Sequence, residues 1–154
     1  MLFDSAATAP RNAEQVFDQL YDPAFLIDPY AGGFIGANLA ACEFLGYDAE
    51  ELQSLTPADI HPHEIPRLDS FLEAVTRNSR WSTDDLSCRS KDGCLIPAEV
   101  RASLVELDGR RYILAIVRDR REEQLAELGR SIRKLTHDLR NTMVASRLLS
   151  TRLE

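Results

Sequence analysis

The residues best suited to chemistry in this chain are His137, Asp138 and Asn141, within the run Lys134-Leu135-Thr136-His137-Asp138-Leu139-Arg140-Asn141. A neutral imidazole is a competent nucleophile toward phosphorus, and an adjacent carboxylate can take or orient its ring proton. The chemistry suggested is phosphorylation on histidine. Such a ring needs a rigid carrier, and the surrounding sequence supplies one. Leu125, Leu128, Ile132, Leu135 and Leu139 recur at alternating spacings of three and four residues, a heptad seam that buries its apolar side chains by pairing two parallel helices. With Leu125 at position a, His137 falls at f, furthest from the partner helix, while Leu149 and Leu153 continue the seam.

A second stripe runs below the histidine. At about 100° per residue, Asn141, Val144 and Leu148 follow His137 along one face, and the seam cannot use Val144 or Leu148. Either they pack on a further helix of a bundle, or they dock an apolar helix of a partner. In the second case Arg140 and Arg147 on the flank, with Arg130 and Arg133 above, contribute charge.

The chain of 154 residues has room for one domain plus an appendage. Its 44% hydrophobic and 28% charged residues predict a soluble globular protein, with no apolar run approaching membrane-helix length. A net charge of −7 argues against general nucleic-acid affinity. Cys42, Cys88 and Cys94 are odd in number and lack C-x-x-C spacing, so they are expected as free thiols in a reducing cytoplasm. No secretory signal is legible at the N-terminus, and residues 1–11 are expected to be a disordered tail.

From Asn12 to Leu20 the sequence predicts a short helix with Val16, Phe17 and Leu20 on one face. Ala24–Asp28 and Phe34–Ala37 are predicted strands about a Gly32-Gly33 turn. Leu39–Leu45 is a helix stopped by Gly46, Asp48 to Glu51 has capping-box spacing, and Thr56-Pro57 opens another helical start. Ile65, Leu68, Leu72 and Val75 then mark a longer amphipathic helix. Beyond Asn78 the period alternates. Trp81, Leu86 and Cys88 lie in one strand, and Ile96, Ala98, Val100, Ala102 and Leu104 in the next, where Pro97 implies edge geometry or a bulge. Asp108-Gly109 is a tight turn into a central strand over Tyr112–Val117. Asp119, with Glu122 three residues on, is expected to cap the coiled-coil helix directly after that strand.

Two stretches carry family resemblances. The order of elements over 12–118, with Asn38 to Leu52, the His61-Pro62 pair and the Lys91-Asp92-Gly93 turn, resembles a PAS sensor domain. That resemblance implies an α+β fold: a five-stranded antiparallel sheet with helices on one face, here followed by a long C-terminal coiled-coil helix. Between helices and sheet, such domains hold a small ligand or fill the space with side chains. Phe25, Ile27, Phe44, Ile60, Leu72, Leu86, Val100 and Ile116 are candidates to face it, and each is equally explained as core. His61 and His63 could serve as haem or metal ligands, but loop contacts account for them, and no metal site is assigned. The flavin-adduct segment Asn-Cys-Arg-Phe-Leu-Gln is absent.

His137-Asp138-Leu139-Arg140-Asn141 resembles the phosphoacceptor box of sensor histidine kinases, with Thr142 where many members have proline. The resemblance implies His137 as phosphoacceptor, Asp138 as its acid/base neighbour and Asn141 as a residue that positions water for dephosphorylation. Residues 119–134 would then be a signalling helix and 135–154 the first helix of a dimerisation and phosphotransfer domain.

The expected whole is a cytoplasmic homodimeric sensor kinase of a two-component system, passing phosphate from His137 to a response-regulator aspartate. ATP and Mg²⁺ would be needed by the parent kinase. The chain carries no ATP-binding domain and should be inactive alone; no cofactor is evident in it, and its PAS ligand is unnamed. The alternative is a PAS dimerisation module in which His137 is incidental.

Overall fold

The computed structural model describes residues 11–152; the predicted tail over 1–10 and the seam residue Leu153 lie outside them. Arg11, expected in that tail, opens the first helix, α1 (Arg11–Asp18). It is followed by β1 (Ala24–Ile27), β2 (Phe34–Ala37), α2 (Leu39–Leu45), α3 (Ala49–Gln53), α4 (Pro57–Ile60) and α5 (Ile65–Asn78). The chain then forms β3 (Arg80–Arg89), β4 (Leu95–Leu107), β5 (Arg110–Asp119) and α6 (Arg121–Arg152). It divides into two compact units, one ending at Arg120 and the other beginning at Arg121.

The first unit is a five-stranded antiparallel sheet in the order β2-β1-β5-β4-β3. Leu45, Leu52, Ile60, Leu68, Phe71 and Val75 from the helices close a single core with Phe25, Ile27, Leu86, Val100, Ile113 and Val117 from the strands. Helix ends follow local chemistry. Asp48 and Glu51 form a reciprocal capping box, and Gly46 ends α2 at φ 78°, a left-handed conformation that glycine adopts without strain. The two-residue Asp108-Gly109 turn takes positive φ at both positions, as a primed hairpin turn requires.

Asn38 ties the unit's first elements together. Fully buried, its Oδ1 accepts from the N–H of Ala24 and of Ala41, each at 2.9 Å, and its Nδ2 donates to the carbonyls of Phe17 (3.2 Å) and Asp22 (3.0 Å). Both lone pairs of the oxygen and both N–H donors of the amide are thereby used.

Several expectations are corrected. α1 stops at Asp18, and Val16 and Leu20 of its predicted apolar face are exposed. Pro97 sits neither on an edge strand nor at a bulge, since β4 lies between β3 and β5. The bulge is opposite, in β3, where Thr83 pairs with Val100 and Leu86 with Ala98, leaving one extra residue on β3. Pro97 accepts the Arg120 N–H at 2.9 Å, one pair beyond Ala98 and Asp119. A strand residue aims its N–H and C=O to the same side, so the donor that proline lacks would have been returned to Arg120. The β4–β5 ladder therefore ends there, while β3 and β4 stay paired as far as Leu95. Asp119 is still paired in β5, and Arg120 is the boundary residue before α6.

The second unit is one unbroken helix of 32 residues. Thr142 continues it and donates its hydroxyl to the Asp138 carbonyl at 2.9 Å.

Candidate functional site

Two regions carry the residues singled out in the sequence. The first is the interior of the PAS-like unit. Phe25, Ile27, Ile60, Leu72, Leu86 and Val100 line a cavity of about 30 Å³ between helices and sheet. That is about the volume of one water molecule. Phe44 and Ile116 do not reach it. Phe44 is half-buried at the margin of the core, and Ile116 pairs with Ala24 and Arg101 on the opposite sheet face. The wall is instead formed by Ile113, Ala115 and Val117 of β5, with Phe34 and Phe71 completing it. Tyr112–Val117 is apolar at every position, so its sequence holds no parity signal by which the inward set could be found.

His61 and His63 diverge. His63 is exposed, whereas His61 is buried at the cavity wall, and its Nδ1 donates to the Ser87 carbonyl at 3.0 Å. This bond fixes the neutral tautomer with its lone pair on Nε2, and burial lowers the imidazole's pKa from its ordinary value. Cys88, also on the wall, is pushed up to about 12 by burial, so it is a thiol and a poor nucleophile. Burial likewise raises Cys42, while Cys94 is exposed. Among the described residues no group of three or more His, Cys, Asp or Glu side chains is placed to hold a metal.

The second region is α6. His137 is exposed, its Nδ1 lying 3.3 Å from Asn141 Nδ2 and 3.7 Å from Asp138 Oδ1. Asn141 reaches back because helix side chains lean toward the N-terminus and meet the residue four positions earlier. The amide can be placed with either end toward the ring. With its oxygen there, Nδ1–H donates to Asn141 and faces the Asp138 carboxylate, which leaves the lone pair on Nε2. The helix brings these three residues together.

The seam residues Leu125, Leu128, Ile132, Leu135 and Leu139 are each 54–69% exposed, and no residue of α6 is buried. Val144 and Leu148 are exposed on their own stripe, as are Arg140 and Arg147. No helix among the described residues is long and apolar enough to cross a membrane.

The geometry of the first unit, five antiparallel strands in this order with helices on one face, has a counterpart among known families. A family model described as the PAS fold matches residues 12–120. The chain belongs to the PAS fold family. The PAS domain of a two-component sensor histidine kinase has the same fold, with a TM-score of 0.63 and 21% identity over 71% of this chain and 94% of that one. So does a domain of the sensory box sensor histidine kinase/response regulator from Geobacter sulfurreducens, with a TM-score of 0.60 and 23% identity over 70% of this chain and 92% of that one. In sequence, the chain is 26% identical over 133 residues to the methyl sulfide methyltransferase-associated sensor of Methanosarcina acetivorans. That match covers 82% of this chain and 13% of the relative's length.

Proposed function

We propose that this chain is the sensory and dimerisation part of a two-component histidine kinase, with His137 as its phosphoacceptor. The observation that carries the reading is an exposed imidazole whose Nδ1 faces Asp138 and Asn141, on a helix that begins one residue after the PAS sheet. In this reading Nε2 attacks the γ-phosphorus of ATP held by a kinase ATP-binding half. The N–P bond forms as the bond to the ADP oxygen breaks, and the Nδ1 proton passes to the Asp138 carboxylate. ADP leaves, and the phosphoryl group is later taken by an aspartate of a response regulator. Val144 and Leu148, with Arg140 and Arg147 beside them, are the surface on which that regulator docks. The exposed seam pairs two copies in parallel. A ligand for the PAS interior must expand the present cavity, which is too small for anything beyond a water-sized guest.

The test supplies the ATP-binding half with labelled ATP and measures acid-labile phosphate on the chain. Label is expected on the wild type and absent from His137→Ala. Label retained in His137→Ala, or absent from both while the added half phosphorylates a control histidine, overturns the reading.

A further inference from the structure

The charge around His137 is unlike that of the rest of the chain. Residues 128–152 carry six cations (Arg130, Arg133, Lys134, Arg140, Arg147 and Arg152) against one acid, Asp138, in a protein of net charge −7. At helical spacing Arg133 and Lys134 lie four and three residues before His137 and Arg140 three after, so they bracket the ring from both adjacent turns. Among the described residues none of these three has an ion-pair partner. Nδ1 is directed toward Asn141, on the following turn. Nε2 is the distal nitrogen of a side chain that leans toward the N-terminus, and so a group bonded to it extends over the turn of Arg133 and Lys134.

We infer that Arg133 and Lys134, with Arg140 below, form a cationic seat for the phosphoryl group on His137 Nε2, serving both its arrival and its retention. A phosphoryl dianion on an exposed helix otherwise relies on water alone for charge compensation. Two or three unpaired cations within side-chain reach stabilise it in the transition state and in the product. The inference rests on His137 as the phosphoacceptor, but its test uses neither ATP nor a kinase half.

The probe is phosphoramidate, applied to the whole chain. Nε2 forms the N–P bond, the P–N bond of the reagent breaks, and ammonia leaves and takes up the ring proton as ammonium. His63 is an internal reference, exposed and flanked by Glu64, which pairs with the next cation along the chain, Arg67, at 3.8 Å. Rates and lifetimes at the two sites are read by mass spectrometry. His137 is expected to be modified about fivefold faster than His63 at low salt, with a phosphoryl half-life longer by a similar factor. Arg133→Gln with Lys134→Gln should bring both within about twofold of His63, while the paired conservative changes Arg133→Lys and Lys134→Arg restore them, and added salt should narrow the gap in the wild type alone. Helix content by circular dichroism shows whether each variant still folds. Equal rates and lifetimes at His137 in the wild type and the glutamine variant overturn the inference. Failure of ATP labelling together with a charge-dependent phosphoramidate rate would count against the kinase reading and leave the seat intact.

Discussion

The two units of this chain solve burial in opposite ways. In residues 11–120 the helices and the sheet cover each other, and Leu45, Leu52, Leu86 and Ile113 are all but sealed from water. In α6 no side chain is buried, although Leu125, Leu128, Ile132, Leu135 and Leu139 follow a spacing that only apolar contact explains. Each exposed leucine or isoleucine forgoes roughly 1.5 to 3 kcal/mol of burial. The PAS unit buries its own core, whereas α6 leaves its apolar seam uncovered within the chain.

The sharpest way to break that comparison is at the seam. Leu128→Lys with Leu135→Lys places like charges where two copies would meet, and sedimentation should change from dimer to monomer while the PAS unit melts as before. A dimer of undiminished affinity would put the interface elsewhere, on the exposed Val16 face of α1 first.

The converse change belongs inside the PAS unit. Asn38→Ala removes four hydrogen bonds at a fully buried position and strands their backbone partners. It should destabilise the unit by roughly 3 kcal/mol, seen as a melting temperature lower by about 10 °C or more, while the helical signal of α6 stays. A fall of only a degree or two would mean that α1, β1 and α2 do not depend on this residue.

A smaller effect is expected with pH. Burial depresses His61 below its ordinary pKa of 6.5, so the unfolded chain holds that proton more tightly than the folded one. The stability His61 contributes is complete above 6.5 and is lost as pH falls below it toward the lowered folded value. His61→Asn keeps a donor for the Ser87 carbonyl without a titrating ring, and should show a shallower decline in melting temperature from pH 7.5 to 5.5 than the wild type. Parallel declines would place the pH sensitivity outside the PAS core.

What the sequence disclosed was what is local. The capping box at Asp48 and Glu51, the stop at Gly46 and the Asp108-Gly109 turn are decided by two to four adjacent residues, and they stand where they were expected. The heptad is equally local, which is why the single helix could be anticipated through Thr142. The misses are decided at long range. Ile116 faces outward because β5 pairs with Ala24 and Arg101 in one register, and an all-apolar strand reads alike in either parity. For the histidine site, the grouping of His137, Asp138 and Asn141 was legible because all three lie within one turn. The bond from His61 to Ser87, 26 residues away, left no local trace.

Pro97 has a consequence for how the chain leaves the sheet. Next to it, Arg120 is also held by Asp84 at 3.2 Å, an exposed ion pair that salt weakens and acid abolishes. The end of the β4–β5 ladder depends on neither, because it is set by a hydrogen atom that proline does not have. Of the two features fixing this boundary, one answers to the solvent and the other is written into the covalent chain, so a cell's changing ionic conditions can loosen the first and have no purchase on the second.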